Sequence, residues 1–377
     1  MERVADYVMR RLHEAGVGHV FLVTGRGILF LTDALAKEEG LTPVPTYHEQ
    51  GASYAAMAYA QARGGLGACL VSTGCAATNA VTAALCAWQD NVPVIFISGQ
   101  HMLHETTVYT KLPIRTYGSQ EADIISVVKP ITKYAVMLQD AKDIAVELDK
   151  AFHFAMTGRK GPVWIDMPLD LQNARIDSEK LERCALEDVR PRIAAGEMSE
   201  IIAGLSEAER PILLLGGGVC SAGAQQFAAE FVQKVHIPVV FTPAAADAYG
   251  SAHALSIGAV GSIGGSRAGN FVLQHADYIL AVGTKLCSQV TGAKDVPFAP
   301  CARIDVVDID AVEHRKAGVR RTVFLHADAG DFLQALCSME LSSVREEWQG
   351  QCLHWKRVFA VPEEAFVQQH AAQNEIE

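Results

Sequence analysis

The sequence lacks the features that mark nucleic-acid-binding and membrane-spanning proteins. Its 43 acidic and 32 basic residues give a net charge of −11, and no run of Lys or Arg exceeds two residues. Because a phosphate backbone would find no basic patch, we expect no nucleic-acid partner. No apolar run approaches the roughly 18 residues that span a bilayer, and residues 1–6 predict an amphipathic helix rather than a signal peptide. We expect no membrane segment and a cytoplasmic location.

Paired cysteines and metal-ligand spacings are also missing. The nine cysteines are odd in number, form no C-x-x-C pair and lie mostly in apolar segments, where a thiol packs as a small hydrophobe. This usage is typical of a reducing compartment. The 13 histidines are dispersed, and none pairs with Cys, Asp or Glu at ligand spacing. We therefore predict that this chain contributes no metal ligands.

What the sequence does contain is a repeated alternation of short apolar strands and helices. Its 377 residues, half of them hydrophobic, can bury the cores of two or three domains. Such an alternation predicts parallel sheets covered on both faces, that is, an α/β protein with two doubly wound parallel-sheet domains. We place the domains at residues 1–175 and 196–340. A polar linker at 176–195 separates them, and an exposed helix and tail follow at 341–377.

Glu49 is the residue that most needs an explanation. It comes just before an alanine-rich stretch, residues 52–62, which is a strong helix former with a small-residue surface. A carboxylate there can simply complement the positive end of the helix, worth roughly 0.3–1 kcal/mol. Alternatively, an apolar pocket holds it with a raised pKa, so that it shares a proton with a ligand nitrogen. This stretch alone leaves both interpretations open.

Several polar or glycine-containing turns follow the predicted strands of the first domain. Residues 24–27 follow one strand, residues 73–79 follow the next, and Gly99 and Gln100 end a third. Since ligands bind at the carboxyl ends of parallel strands, we expect these turns and Glu49 to meet at one edge of the sheet. The irregular segment 101–120, with its two histidines His101 and His104, predicts a functional or mobile loop at the same edge.

The second domain contains a glycine run, Gly216 to Gly218, that suggests a dinucleotide site. The third glycine of a G-x-G-x-x-G pattern would fall at Ser221, however, and no ribose-binding acid follows at the expected distance. A nicotinamide-dependent dehydrogenase is therefore a weak alternative.

Taken in order, the motifs of the whole chain resemble those of thiamine diphosphate enzymes of the acetolactate (acetohydroxyacid) synthase type. The matching segments are residues 20–25, 48–52, 74–79, 99–100, 120–121, 129–133, 161–168, 290–292 and 308–310. The resemblance covers the pyrimidine-binding and central domains of those enzymes. Their diphosphate and magnesium motif, Gly-Asp-Gly followed by Asn-Asn, is absent, and the most similar string, residues 329–331, lacks the second glycine.

The resemblance implies roles for individual residues. Glu49 would hydrogen-bond the aminopyrimidine ring of thiamine diphosphate and act as its proton partner, and Gln120 would reach the substrate side. The remaining cofactor-binding residues implied by the match are Thr24, Gly25, Gly27, Thr73, Gly74 and Asn79. The substrate would be a small 2-keto acid, used in carboligation or decarboxylation.

The resemblance also implies partners. A diphosphate-binding domain or separate chain would hold the phosphates and Mg²⁺, and the enzyme would be a homo- or hetero-oligomer. Residues 285–289 replace an Arg-Phe-Asp-Asp-Arg motif associated with flavin, which argues against FAD. The Gly-Pro-Gly loop of the family reads Gly74-Cys75-Ala76. A non-catalytic regulatory or scaffold subunit that retains the fold is the alternative function.

Overall fold

The computed structural model describes residues 1–188, 190–193, 195–292, 298–316 and 319–360. The chain divides into two compact units, residues 1–189 and 190–377. The strands of the first unit are β1 (Glu2–Arg3), β2 (His19–Leu22), β3 (Thr42–Pro45), β4 (Gly67–Val71), β5 (Val94–Gln100), β6 (Tyr134–Met137), β7 (Val163–Pro168) and β8 (Arg175–Ile176). Its helices are α1 (Val4–Glu14), α2 (Leu29–Leu35), α3 (Glu49–Arg63), α4 (Cys75–Asn79), α5 (Val81–Asp90), α6 (Thr107–Thr110), α7 (Ile124–Val128), α8 (Ile144–Met156) and α9 (Leu169–Asn173).

Within its described residues, the first unit is built on a parallel sheet of six strands in the order β3-β2-β4-β5-β7-β6. The short strands β1 and β8 form a separate antiparallel pair, so that Arg175 and Ile176, placed in the linker or at its edge by the sequence, pair with the start of the chain. The turns after β2, β4, β5 and β7 all leave the sheet at one edge. The α/β class predicted for this domain is confirmed.

Both faces of this sheet are buried, and they are buried against different helices. Successive residues of a strand point to opposite faces, so Val20, Leu70 and Ile97 join one core with α1, α2 and α8. Phe21 and Trp164 belong to the other core, which includes α3 and α5. This two-sided burial explains why the central strands are continuously apolar.

The alanine-rich helix α3 packs unusually close to the sheet. A Cβ atom on Gly67, at the start of β4, would lie 2.3 Å from the carbonyl oxygen of Ala56. Small residues on both sides therefore allow the two backbones to approach, as the composition predicts. The helix begins at Glu49, not after it: His48 is the N-cap, and its Nδ1 accepts a hydrogen bond from the amide of Gln50 at 3.1 Å.

The second unit repeats the architecture. Its strands are β9 (Pro211–Leu215), β10 (Val239–Phe241), β11 (Ser256–Ala259), β12 (Tyr278–Val282), β13 (Arg303–Asp308) and β14 (Val323–His326). Its helices are α10 (Ala195–Glu207), α11 (Gly217–Ser221), α12 (Gln225–Val235), α13 (Arg267–His275), α14 (Ser288–Thr291), α15 (Ala329–Ser338) and α16 (Glu346–Val358). The strands that the structure describes form a parallel sheet in the order β11-β10-β9-β12-β13-β14.

The sequence-based prediction for the last helix was wrong in one respect. Helix α16 was expected to be exposed, but Trp348 is 5% exposed and Cys352 is fully buried, and both belong to the core of the second unit. The indole nitrogen of Trp348 donates to the carbonyl oxygen of Pro211 at 3.0 Å, so the helix is tied to the first strand of its sheet. The predicted tail, residues 361–377, lies outside the described residues.

Candidate active site

The carboxyl edge of the first sheet contains an open cavity of roughly 400 Å³. Its walls come from the turns after β2, β4, β5 and β7, from the start of α3, and from the end of the 101–121 loop. The lining residues are Thr24, Gly25, Arg26, Gly27, Glu49, Ser72, Thr73, Cys75, Ala76, Asn79, Gln100, His101, Ser119, Gln120 and Leu169. All but one of the predicted site residues are among them. The exception, Gly74, is buried next to the lining residue Thr73.

Glu49 enters the cavity from the first turn of α3. Its Oε2 atom accepts a hydrogen bond from the side-chain amide of Asn79, at the end of α4, at a distance of 2.9 Å. Its backbone carbonyl accepts from the hydroxyl of Ser53 at 2.7 Å, which fixes the first turn. The apolar surroundings expected for Glu49 are not observed: the residue is half-buried, and its neighbours in the cavity are mainly amides, hydroxyls and glycines.

The negative charge of Glu49 also affects the buried thiol of Cys69. Cys69, on β4, is fully buried, and burial is the main reason that the pKa of its thiol rises to about 12. A hydrogen bond with Ser53 opposes the rise, and the nearby negative charge of Glu49 adds to it. This thiol therefore stays protonated and acts as a packing group.

The glycine turn after β2 lies flat against its neighbours. A Cβ atom on Gly25 would lie 2.5 Å from the hydroxyl oxygen of Ser72, and one on Gly27 would lie 2.0 Å from that of Thr73. The amide of Gly27 donates to the Ser72 hydroxyl at 3.1 Å. Its carbonyl accepts from the buried Gln172 amide at 2.7 Å. These contacts explain why glycine is needed at 25 and 27: any side chain would separate the two turns.

Gly74 connects the two halves of the cavity wall. It has a φ of +57°, and a Cβ atom there would lie 1.7 Å from the carbonyl oxygen of Gln120. Gln120 itself has a φ of +65°, in the left-handed region that non-glycine residues seldom occupy. Two unusual backbone positions are therefore in direct contact, and together they bring Gln120 to the cavity.

Glu121 anchors the loop that carries Gln120. Its carboxylate is 5% exposed and accepts hydrogen bonds from the amide and hydroxyl of Thr107 and from the amide of Tyr117, at 2.5–2.6 Å. Burial alone would raise the pKa of this carboxyl, but these hydrogen bonds and one from the Gly118 amide lower it overall. The charged form is thus the one that holds the loop closed. His101 adds a second anchor, with a short contact between its Nε2 and the Ser119 carbonyl.

A buried polar network supports the cavity from below. Asp166, in the middle of β7, accepts from the Ser98 hydroxyl at 2.6 Å and from the Gln100 amide at 3.1 Å. The same Gln100 amide donates to the carbonyl of Ala122, where the 101–121 loop returns to the fold. Burial raises the pKa of Asp166 to about 7, against the opposing effect of these two hydrogen bonds. The network therefore joins β5, β7 and the end of the loop.

Some residues of the site were missed by sequence reasoning. Asp166, Gln172 and Arg26 were not singled out, although an aspartate inside an otherwise apolar strand is a visible signal for a buried network. Conversely, His104, considered near the mouth, is exposed and does not line the cavity. No group of three or more His, Cys, Asp and Glu side chains among the described residues could hold a metal ion.

In the second unit, the glycine run has a packing role. A Cβ atom on Gly216 would lie 2.2 Å from the carbonyl oxygen of Gly283, and one on Gly218 would lie 2.7 Å from the Gly283 Cα. The amide of Gly218 donates to the same carbonyl at 2.8 Å. These glycines let the turns after β9 and β12 touch, which accounts for their presence without a nucleotide.

Comparisons with known proteins agree with this geometry. Residues 2–127 match the model of the thiamine pyrophosphate enzyme N-terminal TPP binding domain, and residues 198–336 match that of the thiamine pyrophosphate enzyme central domain. In the part of the chain that the structure describes, no helix is long and apolar enough to cross a membrane.

Curated relatives carry the name acetolactate synthase. The chain is 37% identical over 311 residues to the acetolactate synthase large subunit of Corynebacterium glutamicum, covering 82% of this chain and 48% of the relative. It is 34% identical over 335 residues to the acetolactate synthase of Arthrospira platensis, covering 86% and 56% respectively. For the acetolactate synthase isozyme 1 large subunit of Escherichia coli the identity is 32% over 358 residues, covering 95% and 61%.

The chain spans about half to three-fifths of the length of these relatives. The predicted resemblance is therefore confirmed: the chain belongs to the thiamine pyrophosphate enzymes of the acetolactate synthase type and carries their N-terminal TPP-binding domain and central domain.

Proposed function

We propose that this chain supplies the pyrimidine-binding side of the active site in a thiamine diphosphate-dependent 2-keto acid carboligase or decarboxylase, and that it works only as part of a complex. The observation that carries the proposal is the position of Glu49. Its carboxylate lies in one cavity with the glycine turn after β2, the α4 turn and Gln120. Thiamine diphosphate, when bound, supplies the nucleophilic carbon and the electron sink of this chemistry.

The cavity fits the aminopyrimidine half of the cofactor. That ring presents nitrogen donors and acceptors at its edge, and the cavity offers a carboxylate, side-chain amides and backbone groups around a small space. Glu49 would accept a proton or a hydrogen bond from a ring nitrogen. Asn79 would keep the carboxylate oriented through the bond that it already makes. The closely packed Gly25 and Gly27 would let the ring approach the backbone.

The diphosphate half needs groups that the cavity does not contain. A metal clamp requires several oxygen ligands, and no group of three or more His, Cys, Asp and Glu side chains among the described residues could hold a metal ion. We assign Mg²⁺ and the two phosphates to a diphosphate-binding domain or chain. We therefore propose that the enzyme is a homo- or hetero-oligomer. The replacement of the family's flavin-associated Arg-Phe-Asp-Asp-Arg motif by Lys-Leu-Cys-Ser-Gln at residues 285–289 argues against FAD.

We also propose a cytoplasmic location. All nine cysteines are free, including Cys75 and Cys301 at the surface. Free surface thiols persist in a reducing compartment.

The proposal is tested by calorimetric titration of thiamine diphosphate with Mg²⁺ into the purified chain, alone and mixed with a candidate chain that bears the Gly-Asp-Gly motif. We expect tight binding only in the mixture. Tight binding by this chain alone would show that the assignment of the phosphates to a partner is wrong.

Glu49→Gln separates catalysis from a scaffold role. In the reconstituted complex we expect the turnover of pyruvate to fall by about 10²- to 10⁴-fold, because the amide cannot exchange a proton with the ring. Glu39→Gln, at an exposed site outside the cavity, is the matched control. Unchanged turnover in Glu49→Gln would favour the non-catalytic regulatory or scaffold subunit.

A further inference from the structure

The short helix α9 connects two walls of the cavity. The carboxylate of Asp170 accepts a hydrogen bond at 2.9 Å from the amide of Leu103, near the start of the 101–121 loop. The side-chain amide of Gln172 donates at 2.7 Å to the carbonyl of Gly27, in the turn after β2. These bonds cross 67 and 145 positions of sequence respectively. The helix is therefore a common support for the loop and for the glycine turn.

The side chain of Gln172 is fully buried and uses one atom for two hydrogen bonds. Its Nε2 donates to the Gly27 carbonyl and also, at 2.8 Å, to the carbonyl of Met167 near the end of β7. Since a carbonyl oxygen only accepts, the NH₂ end of the amide must face these two oxygens. The other end, Oε1, is buried and has no hydrogen-bond partner among the described residues.

The unpartnered Oε1 shows that Gln172 does more than fill space. A buried acceptor without a donor destabilises the folded state, and native structures contain few such atoms. A methionine would fill a similar volume without an unpartnered oxygen of its own. What glutamine offers in addition is two N–H donors on one neutral group. The two hydrogen bonds, rather than the filled volume, therefore account for the residue at this position.

The bond from Gln172 fixes a turn that has little stiffness of its own. Residues 25 and 27 are both glycine, the residue with the widest choice of backbone conformations. The Gly27 carbonyl is turned into the fold, where it meets the Gln172 amide and where a Cβ atom on Gly99 would lie 1.9 Å from it. The Gly27 amide is held separately by the Ser72 hydroxyl at 3.1 Å. With both polar groups of Gly27 engaged, the turn presents one fixed surface to the cavity.

We propose that Gln172 is a positioning residue for the cofactor: it holds residues 24–27 in the orientation that the aminopyrimidine ring contacts. Gln172 is absent from the cavity lining, so its effect on the ring passes through the Gly27 carbonyl. The inference rests on the proposed function for the identity of the ligand. The shape of the binding turn is set from α9, and not by the turn alone.

The experiment compares Gln172→Met with a matched control in the second unit. Gln172→Met keeps the length of the side chain and removes both donors. Tyr278→Phe also removes a buried donor, which hydrogen-bonds the Ile201 carbonyl and the Asp305 carboxylate. Backbone hydrogen exchange of residues 25–28 is measured in the chain alone. Binding of thiamine diphosphate with Mg²⁺ and turnover of pyruvate are measured in the complex with a chain that bears the Gly-Asp-Gly motif.

We expect Gln172→Met to speed exchange at residues 25–28 by about tenfold or more and to weaken thiamine diphosphate binding by about tenfold, because the turn loses its fixed orientation. At saturating cofactor the turnover number should change by less than about threefold, since the lost contact acts on binding more than on the chemical step. Tyr278→Phe should lower the melting temperature but leave exchange at residues 25–28 and cofactor binding as in the wild type.

Gln172→Glu gives a pH-dependent readout. An ionised carboxylate at this position would face two carbonyl oxygens and donate to neither, whereas a protonated one can donate to one of them. Burial beside two carbonyls should raise the pKa of this acid above the usual range for glutamate. Lowering the pH from about 8 to about 6 should therefore restore part of the variant's affinity for the cofactor, relative to the wild type at the same pH.

Unchanged exchange at residues 25–28 in Gln172→Met would overturn the inference, because the turn would then not depend on this bond. Unchanged cofactor affinity in that variant would overturn it as well, and so would an equal loss of affinity in Tyr278→Phe, which would reduce the effect to a general loss of stability. A wild-type complex that binds no thiamine diphosphate would instead refute the proposed function. The exchange measurement, made without cofactor or partner, would still decide whether Gln172 holds the turn.

Discussion

At the carboxyl edge of the first sheet the chain leaves a cavity of roughly 400 Å³, whereas in the second unit the glycines after β9 and β12 pack against each other. Both units have a parallel sheet of six strands, in different strand orders, and both use glycine in the turns that follow strands. In the first unit Gly25 and Gly27 bring two turns together beside an open space, and in the second unit Gly216 and Gly283 touch. A glycine turn in this fold therefore indicates close approach, and only its neighbours show whether a ligand is involved.

The largest expected effect in this comparison is on the second unit. Trp348→Ala removes a buried indole that also donates to Pro211, and should lower the free energy of unfolding of that unit by about 3–5 kcal/mol. Trp88→Ala in the first unit is the control, because that side chain is 40% exposed and should cost far less. Calorimetric unfolding, with hydrogen exchange to locate the loss, measures both. Equal losses of unfolding free energy in Trp348→Ala and Trp88→Ala would contradict the burial of Trp348 in α16.

Glycine substitutions test the comparison directly. Gly74→Ala combines a φ of +57° with a clash against Gln120, and should cost about 1–3 kcal/mol in strain while displacing the loop at the cavity. Gly216→Ala should also destabilise the chain, through its contact with Gly283, but should leave thiamine diphosphate binding in the complex unchanged. Titration calorimetry distinguishes them, and a loss of cofactor binding in Gly216→Ala would refute the packing role.

Asp166→Asn should change how stability depends on pH. The pKa of Asp166 in the folded chain, about 7, lies above the ordinary 3.8, so the folded state binds this proton more tightly than the unfolded state. Its contribution is therefore greatest below about pH 4 and is lost as the pH rises to about 7. We expect the fall in urea midpoint between pH 5 and pH 8 to be smaller in the variant. Parallel pH curves for wild type and variant would contradict this.

The smallest effects are expected at the helix caps. Asp328, in the second unit, accepts hydrogen bonds from the amides of Gly330 and Asp331, and Asp328→Ala should cost about 1 kcal/mol. His48→Ala, which removes one bond to Gln50 at the start of α3, should cost less. Chemical denaturation measures both changes. If His48→Ala were the more damaging, the start of α3 would be held more by its cap than by packing against Gly67.

Much of this molecule could be predicted from the sequence, and the misses have physical causes. The alternation of strands and helices predicted the two parallel sheets. The ordered motifs of the family predicted that Thr24, Glu49 and Gln120 lie at one edge of the first sheet. The sequence pattern of α16 could not show that Trp348 is buried. An amphipathic helix of mixed polarity has the same sequence pattern whether its apolar face packs on a core or faces solvent. Nor could the sequence pattern show the polar surroundings of Glu49, since Asn79 reaches it through a contact across 30 positions of sequence.

The contact between Gly74 and Gln120 limits how this chain could be redesigned. One backbone-to-backbone contact, which leaves no space for a β-carbon, joins residues 73–76 to residues 117–121. The conformation of each segment therefore depends on the other. A designer who transplants residues 117–121 of a relative without the matching residues 73–76 would join two surfaces that were never fitted to each other. The two segments should therefore be replaced together or not at all.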